Sequence, residues 1–171
     1  RSLITGATGY MGAHLLAQYL REESGKAWCM VRKGKFDTAR ERLESILFYY
    51  FGSDLDREFE TRVEVLDGDV TDYKYFEPLQ TLPVNTVFNC AANVKHFSNG
   101  TDIEDINVGG AVNCVRLCKA TGARLIQFST ISVSGTTEDV SKLGRSELDE
   151  QSLYFGQTLD NKYTSSKLMG E

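Results

Sequence analysis

Three observations predict an α/β fold with a doubly wound parallel sheet. The chain opens with a short apolar strand, a glycine-rich turn and an amphipathic helix, in that order, over Arg1-Ser2-Leu3-Ile4-Thr5, Gly6-Ala7-Thr8-Gly9-Tyr10-Met11-Gly12 and Ala13 to Leu20. Four more apolar runs come after it, centred on Cys29, Val65, Phe88 and Ile126, interleaved with helix-period or turn-rich stretches. The runs end in small or polar residues, as strands do where an open parallel sheet meets a ligand. Five strands alternating with helices leave a layered sheet with helices on both faces.

The first turn is the candidate phosphate cradle. Glycine at Gly6, Gly9 and Gly12 leaves room for a backbone to approach a pyrophosphate, with Thr8, Tyr10 and Met11 completing the turn. The negative charge then meets backbone N–H groups and the helix N-terminus. An ordinary tight turn also accounts for three glycines, so the weight rests on the second strand. The fingerprint places a ribose-reading residue at the end of that strand, about 20 positions on. The strand, Ala27 to Val31, ends in Arg32-Lys33. A carboxylate there would accept from a 2′-hydroxyl, whereas a guanidinium suits the 2′-phosphate of NADP. The expected cofactor is NADPH, read by Arg32 with help from Arg42 on the next helix; the alternative is a solvated basic strand end.

Asp37 or Thr38 is positioned to cap a helix from Ala39 to Tyr50 that turns Leu43, Ile46, Leu47 and Tyr50 toward the sheet. Asp54 to Glu60 reads as a polar connection, and Arg62 to Leu66 as the third strand. Asp69, just past it, sits where a carboxylate can meet an adenine amino group, although an aspartate capping a turn is an equal reading. Val70 comes next at the same edge.

The fourth strand, Thr86 to Cys90, runs into Ala91 and Ala92, whose small side chains let a cofactor lie on the backbone or simply pack closely. A long helix is predicted from about Asp102 to Thr121, closing at Gly122, with Gly109 and Gly110 pressed on the sheet. Arg124 to Phe128 is the fifth strand and ends in Ser129 and Thr130, hydroxyls that either face a ligand or cap a turn. Residues 136 to 162 are polar and charged and read as a loop over the site mouth. Tyr163 and Lys167 then fall four apart, on one helix face.

A Tyr-x-x-x-Lys pair alone says little; after a dinucleotide turn and a hydroxyl-ended strand it suggests hydride chemistry. Hydride arriving at a carbonyl carbon leaves negative charge on oxygen. Tyr163 is the candidate acid, a nearby Lys167 ammonium favours loss of its proton and can hold the ribose, and Thr130 supplies a second donor.

Composition narrows the classes. With 41% hydrophobic residues and 171 positions, one domain with a buried core is expected. A net charge of −5 without a basic run argues against nucleic acid and anionic membranes as partners. Cys29, Cys90, Cys114 and Cys118 lack metal-ligand spacing and read as reduced thiols, so no metal is expected. No apolar stretch nears the ~20 residues of a membrane span, and the expected compartment is the cytoplasm. The short first strand and a last helix that stops mid-pattern suggest residues 1–171 are an NADP-binding piece of a larger multidomain chain. His14 reads as packed on the first helix, and His96 as exposed near the mouth.

The set Thr5 to Gly12, Val31-Arg32, Gly68-Asp69-Val70, Ala91-Ala92, Asn107-Val108, Ser129 to Val133 and Tyr163 to Glu171 resembles an extended short-chain dehydrogenase/reductase, with its Rossmann-type sheet. Within that superfamily it is most similar to the thioester reductase domains that end nonribosomal peptide synthetases and to carboxylic acid reductases. The resemblance implies Thr130, Tyr163 and Lys167 as catalytic triad, and the glycine turn, Arg32, Arg42 and Asp69 as NADP contacts. It implies NADPH-dependent reduction of a thioester borne on the phosphopantetheine of an upstream carrier protein, giving an aldehyde or, with a second hydride, an alcohol. It also implies a truncation before the C-terminal substrate-binding part. Asn89 stands where related enzymes often carry His. Other readings are a fatty acyl-CoA reductase, a reductase of a nucleotide-sugar or small carbonyl, and a non-catalytic NADP-sensing module.

Overall fold

A computed structural model of the chain describes residues 1–144 and 153–171. Its sheet has the order β3-β2-β1-β4-β5 with every neighbouring pair parallel. The strands are β1 (Ser2–Thr5), β2 (Ala27–Val31), β3 (Val63–Asp67), β4 (Thr86–Asn89) and β5 (Arg124–Gln127). The chain steps outward from β1 to β3 and then returns across β1 to lay down β4. The reversal opens a crevice between the ends of β1 and β4, where such sheets bind ligands.

Alternation along the strands divides the core in two. Ile4 and Cys29 point to one face, under α1 (Tyr10–Glu22), α2 (Ala39–Phe51) and α3 (Asp56–Arg62). Leu3, Trp28 and Val87 point to the other, where Phe76, Leu79, Cys114 and Leu117 cover them. Leu3 and Ile4 are both wholly buried, which is the signature of a central parallel strand covered on both faces.

Thr38, rather than Asp37, caps α2, its hydroxyl accepting the Glu41 N–H at 3.1 Å. Ala39, Leu43 and Leu47 face the sheet, but Tyr50 does not: it is exposed and sets its ring edge-on to His14, with centroids 5.0 Å apart. The stretch expected as a polar connection holds α3. Its one buried apolar residue is Phe59, too weak a periodicity to read; the helix is fastened instead by Arg62, which donates to the Leu20 carbonyl at 2.7 Å and to the Gly25 carbonyl at 3.1 Å. The third strand therefore begins at Val63.

The long helix predicted near Asp102 runs as α4 (Asp102–Glu104), a π-helical turn (Asp105–Gly109) and α5 (Gly110–Thr121). It ends at Gly122 in a left-handed conformation, φ 74°, as its C-cap requires. Of the paired glycines only Gly110 is pressed: a Cβ there would lie 3.1 Å from Val70, whereas Gly109 faces open space.

The polar segment after β5 is not wholly loop. It contains α6 (Thr137–Lys142), opened by a capping box between Thr136 and Asp139; residues 145–152, part of the expected mouth loop, lie outside the described residues. Buried Asp139 also accepts the Thr158 N–H at 2.9 Å, tying both sides of that stretch together. The last helix is α7 (Lys162–Met169), capped by Asn161, whose side chain accepts the Thr164 N–H at 3.0 Å. The four cysteines are free. Among the described residues no helix is long and apolar enough to cross a membrane.

Hydrogen bonds from the Thr136 and Thr158 backbones hold the Asp139 carboxyl well below the usual carboxylate range. With the folded value below the unfolded one, this stabilisation is complete above about pH 4 and is lost as pH falls through the folded value. Asp139→Asn should therefore raise hydrogen exchange at the Thr136 and Thr158 amides at pH 7, and wild type should approach the variant in acid. Equal exchange in both proteins at pH 7 would count against the anchor.

Candidate functional site

The glycine turn is shaped by contact with β4. Gly6 has φ 70°, and a Cβ on it would stand 2.5 Å from the Ala91 nitrogen. Gly12 lies under the same turn, where a Cβ would meet the Gly6 carbonyl oxygen at 2.2 Å. Only glycine fits either place. The Gly9 N–H closes the turn on the Gly6 carbonyl at 2.9 Å, and Gly9 is the N-cap of α1 without any side-chain cap. The first-turn N–H groups of α1 thus remain available to an anion.

A cleft of about 240 Å³ opens here, lined by Gly6, Thr8, Gly9, Met30, Val31, Arg32, Arg42, Gly68, Val70, Cys90, Ala91, Ala92 and Ile106. It gathers eight of the sequence-predicted cofactor residues. Tyr10 and Met11 are exposed and Gly12 is buried, and none of the three lines it. Asp69 belongs to a neighbouring hollow that shares Arg32 and Ile106 with the cleft.

Arg42 reaches back from α2 to donate to the Arg32 carbonyl at 2.6 Å, which puts two guanidinium-bearing residues at the end of β2. The exposed Arg32 guanidinium pairs with Asp69 at 3.5 Å. The other Asp69 oxygen accepts the Thr71 N–H at 3.0 Å and its hydroxyl at 2.9 Å. Asp69 is therefore a turn-capping aspartate, with its second oxygen turned to Arg32. Val70 is held by buried Asn113, whose amide donates to the Val70 carbonyl at 2.8 Å. The open glycine turn, uncapped helix and paired arginines fit a dinucleotide: they offer backbone donors for a pyrophosphate and cations for further phosphate.

Tyr163 and Lys167 share a face of α7, which packs on the π-helical turn and on the 3₁₀ turn Ile131–Ser134. Lys167 is only 3% exposed, and its ammonium donates to the Phe128 carbonyl at the end of β5. Burial pushes its amine below the ordinary lysine range, opposed by Cys90 and Glu171. Burial in turn pushes the Cys90 thiol up to about 12, so it stays protonated. The Tyr163 ring lies parallel to that of exposed His96, with centroids 6.2 Å apart. Thr130 caps the 3₁₀ turn, its hydroxyl accepting the Ser132 N–H at 3.4 Å, and Ser129 donates to the Glu171 carboxylate.

Spacing and periodicity give Asn107 no task of its own. It is buried within the π-helical turn; it accepts the Asn93 N–H at 2.8 Å and donates to the Ser166 hydroxyl at 2.8 Å, joining the loop after β4 to α7. A buried asparagine in an otherwise apolar helix face was the available signal.

The model of an NAD-binding family described as male sterility protein matches residues 4–171. The chain belongs to that family. Among solved structures, a thiolation-reductase di-domain from an archaeal non-ribosomal peptide synthetase superposes with a TM-score of 0.89 at 38% identity, over 99% of this chain and 36% of the other. The reductase domain of an aureusimine biosynthetic cluster gives 0.75 at 32% identity, over 99% and 43%. Fatty acyl-CoA reductase 1 of Rattus norvegicus is 29% identical over 119 residues, 62% of this chain and 22% of the relative. The match thus spans about a fifth of the length of that curated relative.

Gly6→Ala forces a Cβ into the β4 backbone at a left-handed residue. It should cost about 1–3 kcal/mol, seen as a lower unfolding midpoint, with cofactor affinity falling further than stability alone explains. An alanine variant with unchanged stability and affinity would refute the close-approach account.

Proposed function

We propose that residues 1–171 are the nucleotide-binding part of a longer NADPH-dependent reductase that releases an acyl or peptidyl chain from a carrier-protein thioester as an aldehyde. The observation that carries this reading is Lys167, buried against the Phe128 carbonyl at the end of β5 and one helical turn from Tyr163. The 38% identity to a thiolation-reductase di-domain supports the carrier as source of the thioester.

In this reading the glycine turn and the α1 N-terminus hold the pyrophosphate. Arg32 and Arg42 bind the 2′-phosphate, while Ala91 and Ala92 let the cofactor lie on the β4 end. When bound, the cofactor supplies hydride to the thioester carbonyl carbon. Tyr163 and Thr130 donate hydrogen bonds to the carbonyl oxygen as negative charge gathers there. Tyr163 delivers its proton, and Lys167 favours that transfer electrostatically and holds the ribose hydroxyls. Collapse of the hemithioacetal expels the carrier thiol and leaves the aldehyde.

A second reading, reduction of a coenzyme A thioester, is favoured by the similarity to a fatty acyl-CoA reductase. The two separate when the full-length protein is given NADPH with the same acyl group on a carrier or on coenzyme A, and nicotinamide absorbance is monitored. Faster turnover of the carrier-bound chain is expected; preference for coenzyme A would favour the second reading.

Tyr163→Phe should lower turnover by about 10²–10⁴-fold while leaving NADPH affinity within a few-fold; surviving turnover would remove Tyr163 as the acid. Arg32→Ala should weaken NADPH by about 1 kcal/mol, an exposed charge-assisted contact, and leave NADH nearly unchanged. Equal losses would undo the 2′-phosphate assignment.

A further inference from the structure

A row of side chains, buried at Thr5 and Asn89 and half-buried at Gln127, crosses β1, β4 and the edge strand β5 just before the residues Gly6 and Cys90 that line the cleft. The Thr5 hydroxyl donates to the Asn89 carbonyl oxygen at 2.6 Å. The Asn89 amide donates to the Gln127 oxygen at 2.8 Å, and the Gln127 amide donates to the Phe128 carbonyl at 3.4 Å. Thr5, Asn89 and Gln127 are register partners on β1, β4 and β5. The row ends on the carbonyl that accepts the Lys167 ammonium.

Chemistry sets the direction of the row. A peptide carbonyl only accepts, so Gln127 must turn its NH₂ to Phe128 and its oxygen to Asn89. Asn89 must then present its NH₂ to Gln127 and its oxygen to Thr5, the one partner there with a rotatable hydroxyl. Thr5 and Asn89 are 0% and 1% exposed, where an aliphatic pair would fill space as well without any desolvation cost. A buried polar row of defined direction specifies position rather than bulk stability.

We infer that Asn89 is a positioning residue that acts through Gln127 to set the Phe128 carbonyl and hence the place of the Lys167 ammonium. The inference rests on the proposed role of Lys167 only for its catalytic consequence. Asn89→Asp keeps the shape but offers only acceptors. Gln127 then reverses, its oxygen confronts the Phe128 carbonyl, and that carbonyl turns away from Lys167. Gln127→Met breaks the link without charge. Thr5→Val breaks the row on the far side of Asn89 and serves as a control for register alone. Asn89→His can accept with one ring nitrogen and donate with the other.

The test is competitive amine acylation of the full-length protein, with Lys167 labelling read by mass spectrometry, alongside kcat and KM. Labelling of Lys167 should rise about fivefold, the equilibrium factor of one hydrogen bond, in Asn89→Asp and Gln127→Met. It should stay near wild type in Thr5→Val and return toward wild type in Asn89→His. In the same variants kcat should fall by a like factor with thioester KM unchanged. Labelling that is unmoved in folded Gln127→Met, or moved equally by Thr5→Val, would overturn the inference. A wild type without reductase activity would overturn the function above but leave the labelling result to judge this one.

Discussion

The structure depends on how closely the first turn approaches the end of β4. With Gly6 in a left-handed conformation and no side chain on it, β1 can pass against Cys90 and Ala91 with backbone touching backbone. The contact brings the glycine turn and the Ala91-Ala92 wall to either side of one crevice, and Gly12 lets α1 start under the same turn. A methyl group at Gly6 or Gly12 would push these parts away from one another.

Around that contact the charges are arranged by strand ends. Arg42 braces the Arg32 backbone while Asp69 restrains the Arg32 guanidinium from the next strand, so the cationic edge has a direction although it is open to solvent. On the opposite side the single ammonium is buried, and its position is decided by one carbonyl of β5. The exposed cations suit recognition of a mobile phosphate, whereas the buried one suits a fixed task in a drier place, where electrostatic effects are stronger.

Membership of the male sterility protein family fits this division of labour. The family model matches residues 4–171, which take in the sheet, the glycine turn and α7. The joints between them are asparagines: Asn89 across the sheet, Asn107 between the β4 loop and α7, and Asn113 behind Val70. An amide that donates and accepts at once can join two backbones or side chains that an apolar residue could only pack against.

Most of the architecture was legible because strand and helix periods differ and because glycines mark the turn between β1 and α1. The succession of strands and helices along the chain, the cap on α2's first turn to within one residue, and Gly122 as helix end all come from local rules. The polar stretch before β3 hides a helix because α3 has one buried apolar anchor, Phe59, and is held by Arg62 reaching carbonyls far along the chain. Tyr50 keeps helix spacing but lies beyond the sheet's cover, which spacing cannot register. The sequence by itself determined the doubly wound class, the glycine turn, the basic edge at Arg32 and the shared face of Tyr163 and Lys167, since each depends on neighbours within a turn or a strand. Only the tertiary structure decided that Asp69 caps a turn while pairing with Arg32, that Asn89 bridges three strands, and that Lys167 ends on the Phe128 carbonyl. These are contacts between residues far apart in the chain, and their partners are selected by register and burial rather than by any local pattern.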